Sequence, residues 1–366
     1  MAKPFVSVLI DTYNHEKFIE QAITSVLEQD FPASDFEILV VDDGSTDRTP
    51  ELVEKFAPRV VYLPKQNGGQ ASAFNFGIPQ CRGEVVAFLD GDDWWKPNKL
   101  TVVCEAMAAN PDVGIVGNGI VIVQPDGREE VETLLHGNLF RADTPSGAKL
   151  FRVRGSFLGT SRMTIRKNAL AEIGRIPETI LFEADEYLFT LAAVLHDVLI
   201  LPDVLTHYRL HGANLYQISS ADSERTRRKQ KVLATLADSL ADRLGALRVN
   251  PTVSRIIVNN VRADADFLRL SMDGGLPWET VRAEWSRYQR VFDHASFAHR
   301  LFKFITLLPA LLLPPRIYFR LKHRVIESSG YQQKRRRWLP NPSVDHVARV
   351  SQHSESPPKT TVNSGS

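Results

Sequence analysis

The chain has 366 residues, with 44 Lys and Arg against 43 Asp and Glu and a formal net charge of +1. A hydrophobic fraction of 43% and a charged fraction of 24% are ordinary for a globular protein, and the length suffices for one large domain with additions. Two cysteines, Cys81 and Cys104, exclude a disulfide framework and a CxxC pair, and suit a reducing compartment. The first residues do not read as a secretory leader, because only six positions, 4–9, could form an apolar core before Asp11. No uninterrupted apolar run reaches the roughly 20 residues that a spanning helix needs.

In chain order, residues 5–10 (FVSVLI) read as a buried strand and 17–29 as a helix with Phe18, Ile19, Ala22, Ile23, Val26 and Leu27 on one side. A second strand follows at 37–41, a helix at 49–56 with Pro50 near its start, and a third strand at 60–63. A helix over 70–78 opens after Gly68-Gly69, a fourth strand runs over 84–89 and a helix over 99–109. Further on, the pattern predicts a strand at 113–123, a turn at 125–127, a helix at 181–196, a strand at 198–201 and helices between 222 and 295. Residues 130–160 carry no clear period, and the chain from about 328 is polar and reads as disordered.

Strands alternating with helices at this spacing predict βαβ units and a mostly parallel sheet with helices on both faces. Ligands in such sheets bind at the carboxyl ends of the strands. The polar clusters of this chain fall there: Asp11-Thr12-Tyr13-Asn14, Asp42-Asp43-Gly44-Ser45 and Asp90-Gly91-Asp92-Asp93. Three carboxylates within four residues repel one another unless a cation lies among them, and hard oxygen ligands suit Mg²⁺ or Mn²⁺. Asp42 and Asp43 could accept hydrogen bonds from a base or ribose, or simply form an Asp-Gly turn that caps the next helix. Gly69 and Gln70 open a helix whose N-terminus favours an anion, though a lone Gly-Gly is more often only a loop.

These segments, FVSVLIDTYN, ILVVDDGSTD, QNGGQASAFNFGI, RGEVVAFLDGDDWWKPNKL and EADEYLF, together resemble glycosyltransferase family 2 over roughly residues 4–215. The resemblance implies the GT-A (Rossmann-like) α/β fold, a mixed, mostly parallel sheet flanked by helices. It also implies an inverting transferase that takes a sugar from a nucleotide-sugar, usually a UDP-sugar, with Mn²⁺ or Mg²⁺. Carried onto this chain, it places Asp11, Tyr13, Asp42, Asp43, Gly69, Gln70, Asp90 and Asp92 at the donor. Asp92, Asp93 and His211 fall near the metal, and Asp185 is the acceptor-activating base. For Asp185 the alternative is a helix N-terminal acid favoured by the dipole, and for His211 a structural histidine. Trp94, as a stacking ring, and Glu183 are candidates for the acceptor, with core packing the alternative for Trp94. Two departures stand out. Phe74 occupies a position where many members carry Arg, leaving Gln70 or Lys65 as substitutes, and Ala184 stands where a Glu is expected before the base.

After this catalytic unit, 1–215, the sequence predicts a helical C-terminal extension (216–298), an apolar and basic segment (299–327) and a disordered tail (328–366). Residues 301–313 (LFKFITLLPALLL) are apolar, and between Arg300 and Arg337 ten Lys or Arg stand against Glu327 alone. Such a segment suits peripheral contact with an anionic membrane surface, or packs on the domain with a solvated basic tail. Its prolines argue against spanning. A lipid-linked or sugar acceptor and a cytoplasmic location at the inner face of the membrane would follow from the first reading. Nucleic-acid binding is not expected, as no recognised motif surrounds the basic stretch. The competing functional readings are a sugar nucleotidyltransferase, which would need a basic glycine-rich loop where LIDTYNHEKF stands, and a non-catalytic membrane-associated scaffold that keeps a donor pocket.

Overall fold

The structure, a computed structural model, describes residues 5–132, 139–144, 147–148, 150–151, 158–211, 223–289 and 297–327. The tail expected to be disordered, 328–366, lies outside these residues. Three parallel strands, β1 (Val6–Thr12), β2 (Phe36–Asp42) and β3 (Val60–Pro64), are linked by α1 (Ile19–Leu27) and α2 (Thr49–Glu54). Helix α3 (Gln70–Gly77) then crosses to β4 (Val85–Asp90), which pairs in parallel with β1.

The remaining strands are β5 (Trp94–Trp95), β6 (Val113–Val123), β7 (Glu129–Glu132), β8 (Leu139–Phe140), β9 (Met163–Arg166) and β10 (Asp197–Arg209). The sheet order is β3-β2-β1-β4-β9-β6-β10-β5, with β7 added on β6 and β8 on β10. Only β9 breaks the parallel run at the centre, lying antiparallel between β4 and β6. The mixed, mostly parallel sheet flanked by helices is the fold class expected from the sequence.

Both faces of the sheet are covered, which is why its central strands are apolar without alternation. On one face Leu9, Leu39, Val86 and Phe88 join α3, α5 (Lys167–Ile173) and α6 (Ala184–Leu195). On the other, Val8, Ile10, Ile38, Val40 and Ala87 join α1 and α4 (Lys99–Ala109). The period-two alternation of the strands thus divides two cores rather than a core from solvent.

Strand β10 is much longer than the expected 198–201. Pro202 and Asp203 break the apolar run, but register shifts between Ile200 and Val204, and again before Thr206, absorb them as bulges against β6. The strand then continues to Arg209 beside the acidic cluster.

The helical stretch resolves into α7 (Ser223–Ala246), α8 (Pro251–Asp273) and α9 (Pro277–Gln289). Asn250 caps α8 by accepting the Thr252 N–H at 2.8 Å, with Pro251 at the first position where no N–H is needed. Leu236, Leu240 and Leu244 of α7 and Ile257 and Val261 of α8 belong to the same core as α6 and the sheet. Two last helices, α10 (Phe297–Leu312) and α11 (Pro315–Glu327), pack on α8 and α9 through a small separate core that includes Leu270, Ala310, Tyr318 and Phe319. Among the described residues, no helix is long and apolar enough to cross a membrane.

Candidate active site

The strand ends β1, β2 and β4 open into a cavity of about 1210 Å³, closed on its other sides by the turn 158–162, the start of α6 and α7. Register brings the acids together: Asp11 lies opposite Asp90, and Thr12 opposite Asp42. After Asp90 the chain turns sharply, and a Cβ on Gly91 would stand 2.7 Å from Thr12 Oγ1 and 2.8 Å from His15 Nδ1. Glycine is therefore what allows the second half of the acidic loop to close over β1.

Asp90, Asp92 and Asp93 each present an oxygen within 4.8 Å of the others. Burial, then the neighbouring carboxylates Asp11, Asp93 and Asp92, push Asp90 well above the usual carboxylate range. Burial and Asp92 do the same to Asp93. Asp11 is pushed to about 8 by burial and by Asp92, and its Oδ1 is buried without a hydrogen-bond partner. Burial would raise Asp92 too, but the His211 hydrogen bond at 2.8 Å and the His15 ring 4.0 Å away hold it below the ordinary value. Crowded acids that would otherwise hold protons, together with an orphaned buried carboxylate oxygen, fit a hard divalent cation. The arrangement distinguishes the acids. Both Asp93 oxygens already accept hydrogen bonds, from Ser161 Oγ at 2.6 Å and the Arg209 N–H at 3.0 Å. The contacts to Asp90 are longer, 3.5 Å from Gln70 Nε2 and 3.4 Å from Ser161 Oγ, and Asp92 Oδ2 pairs with His211 at 2.8 Å.

The Asp42-Asp43 turn is held from within. Asp42 accepts from the Ser45 N–H and the Tyr62 hydroxyl, both at 2.8 Å. Asp43 accepts from Lys65 Nζ at 2.5 Å, from the Gly68 N–H at 3.0 Å and from the Gly69 N–H at 2.7 Å. Gly69 needs its glycine: φ is +86°, and a Cβ would lie 2.4 Å from the Leu181 carbonyl oxygen. Gln70 is similarly committed. Its Nε2 donates to Thr160 Oγ1 at 3.1 Å and lies 3.5 Å from Asp90 Oδ1, while its Oε1 accepts the Ala184 N–H at 3.0 Å. Lys65 thus serves Asp43 and Gln70 joins two loops. Phe74 is fully buried, edge-on to Phe88 at 5.1 Å, so an arginine there would enter the core.

Asp185 opens α6 on the same cavity, one oxygen accepting the Thr160 N–H at 3.1 Å. Burial and then Glu183 push it up to about 6, against the Glu186 and Thr160 amides that lower it. Glu183 itself sits in the left-handed region, φ 68°, ψ 24°, and pairs with Lys229 of α7 at 3.0 Å. Tyr13, 45% exposed, stands at the cavity mouth. Trp94 is half-buried, its ring stacked on His207 at 4.7 Å with the Arg209 guanidinium 4.4 Å over it.

Several residues of the site escaped the sequence reading. Ser161 bridges Asp93 and the Asp90 N–H, and the fully buried Lys99 donates to the Ser161 carbonyl at 2.6 Å and to Thr206 Oγ1 at 3.0 Å. Burial pushes the Lys99 ammonium well below its ordinary range. Arg209 braces the loop from outside, donating to the Asp92 carbonyl at 3.0 Å. Arg162 lines the cavity with an Nη2 that is buried without a hydrogen-bond partner. Lysine 99 reads as a helix-surface residue, and Ser161 lies at the edge of the stretch with no period.

The Glycosyl transferase family 2 profile matches residues 7–174. An uncharacterized glycosyltransferase of Nostoc sp., alr2836, is 34% identical over 233 residues, 62% of this chain and 71% of that protein. The poly(ribitol-phosphate) beta-N-acetylglucosaminyltransferase TarS of Staphylococcus aureus is 42% identical over 92 residues, 24% of this chain and only 16% of TarS. Among solved structures, S. aureus TarS 1–349 in complex with UDP-GlcNAc superposes with a TM-score of 0.53 at 20% identity, covering 87% of this chain and 92% of that one. The mannosyltransferase PcManGT from Pyrobaculum calidifontis, in complex with GDP-Man and Mn²⁺, gives 0.52 at 18% identity, covering 91% and 83%. The fold, and the relatives that share its sequence, define a glycosyltransferase of GT-A architecture. The chain belongs to glycosyltransferase family 2.

Proposed function

We propose that the chain is an inverting, metal-dependent glycosyltransferase that takes a sugar from a UDP-sugar and passes it to a hydroxyl of a sugar or lipid-linked acceptor, in the making of a cell-surface polysaccharide, glycolipid or glycoprotein. The observation that carries this reading is the single cavity that holds both Asp185 and the acids of the Asp90 loop. Asp92 and Asp93, with Asp90 next to them, would hold Mn²⁺ or Mg²⁺, with His211 beside Asp92. When bound, the ion neutralises charge that builds on the departing diphosphate. Asp185 takes the proton of the acceptor hydroxyl as its oxygen bonds to the anomeric carbon. The bond from that carbon to the diphosphate oxygen breaks on the opposite side, so the nucleoside diphosphate leaves and the configuration inverts. Glu183 and Lys229 set the environment of the base, and Asp43, Gly69 and Tyr13 line the donor half.

Residues 1–215 would form the catalytic unit and 216–298 a helical extension that completes its wall. TarS, a beta-N-acetylglucosaminyltransferase by name, supports an N-acetylhexosamine donor as the first to try. The test is donor hydrolysis and transfer by purified protein with UDP-, GDP- and dTDP-sugars in Mn²⁺, Mg²⁺ or EDTA. Metal-dependent release from one donor that Asp92→Asn abolishes, with an inverted anomeric centre in the product by NMR, is the expected result. Undiminished turnover in EDTA, or retention at that carbon, would overturn it.

A further inference from the structure

Helix α10 exposes a row of large apolar side chains at Phe297, Leu301, Phe304, Ile305, Leu308, Leu311 and Leu312, each at least half exposed. At 100° per residue these seven positions fall within an arc of about 120°. The fully buried Ala310 lies on the opposite side of the helix. The row is therefore not a failed core. The helix has a packed side, with Ala310 in the small core against α8 and α9 and Phe304 at its edge, 5.8 Å from the Trp285 ring and 6.0 Å from the Tyr288 ring, and a second apolar side turned outward.

Helix α11 repeats the device more narrowly. Ile317, Leu321 and Val325 recur every fourth residue and are about half exposed, whereas Tyr318 and Phe319 point into the small core. One position ahead of each exposed residue stands Arg316, Arg320 or Arg324. Across residues 297–327 six Lys or Arg face one acid, Glu327. Of these, Lys322 is buried against Glu284 and over the Phe267 ring, and Arg316 donates through Nε to the Met272 carbonyl at 2.8 Å while staying exposed. An apolar surface of this length marks an interaction site rather than scattered exposure.

We propose that α10 and α11 form a docking surface for an anionic lipid bilayer. In this arrangement the α10 row and the Ile317-Leu321-Val325 stripe enter the headgroup boundary, and the positive charge of the segment, exposed at Arg320, meets the lipid phosphates. A second copy of this chain is the competing occupant, and charge argues against it. An isologous contact would set the same arginine-rich face against itself. A bilayer that carries negative headgroups accepts both the apolar row and its basic border. The inference concerns two helices none of whose described residues lines the cavity, and does not rest on the sugar-transfer reading.

The test is flotation of the full-length protein with vesicles of phosphatidylglycerol and phosphatidylcholine in equal parts, against phosphatidylcholine alone, at low and high salt. Binding to the anionic vesicles that falls at high salt is expected. The triple variant Leu301→Ser, Ile305→Ser, Leu308→Ser should lower the partition by at least about tenfold, with an unchanged circular-dichroism melt and unchanged donor hydrolysis. Arg320→Glu with Arg324→Glu should remove the preference for anionic vesicles while leaving the fold intact. Absence of flotation with anionic vesicles at low salt, or flotation that the triple variant leaves intact, would overturn the proposal. So would a dimer in sedimentation that the triple variant dissolves while vesicles bind neither form. Because flotation does not read turnover, an inactive protein that floats, or an active one that does not, separates this proposal from the proposed reaction.

Discussion

Asp185 owes its raised affinity for a proton to burial and to the charge of Glu183 two residues away, and a base works only when unprotonated. As pH falls through about 6, kcat/KM should therefore fall with the protonation of Asp185. Glu183→Gln removes the neighbouring negative charge, so the acidic limb should move to lower pH, as a kcat/KM profile would read. Asp185→Asn should cost ~10²–10⁴ in kcat with little change in donor affinity; loss of donor binding instead would place this carboxylate at the donor. Ser161 is the second residue on which the site depends. Ser161→Ala leaves a buried Asp93 oxygen without its 2.6 Å donor and should cost about 1–3 kcal/mol in urea unfolding, together with weaker Mn²⁺ binding by titration.

Between elements, Gln70 is the stitch: from the first turn of α3 it reaches the turn at Thr160 and the first amide of α6. Gln70→Ala should lower kcat by about tenfold or more through misplacement of Asp185, with donor KM nearly unchanged, since its amide points at other loops. Steady-state kinetics with the acceptor held saturating would show the split. The βαβ half of the molecule, with the strand ends that carry Asp11, Asp43 and Asp90, was legible because buried parallel strands and flanking turns write themselves as apolar runs and Asp-Gly pairs. What the sequence did not disclose depends on contacts between distant segments. Strand β9 enters the sheet antiparallel from a stretch with no period. Strand β10 hides behind Pro202, which bulges absorb. Lys99 looks like a surface lysine until the Ser161 carbonyl above it is known. The acidic loop was readable as chemistry, whereas the bonding of Asp93 at both its oxygens was not, because that bonding is set by Ser161 and Arg209.

For the molecule as a whole, the extension after residue 215 is no loosely tethered addition, since α7 and α8 contribute to the core that holds α6 and one face of the sheet. Leu240→Ala, at a fully buried position, should destabilise the protein by about 2–5 kcal/mol. Far-ultraviolet circular dichroism and tryptophan fluorescence should still report one shared unfolding transition. Two transitions would mean that the helices and the sheet fold separately. Glu183 joins these scales. It stands in a backbone conformation that non-glycine residues seldom adopt, and its partner Lys229 arrives from α7, 46 positions further along. On a ribosome the strands and every acid of the pocket emerge before α7 has been made. The loop that carries Asp185 therefore lacks its Lys229 anchor until that helix has left the exit tunnel and docked.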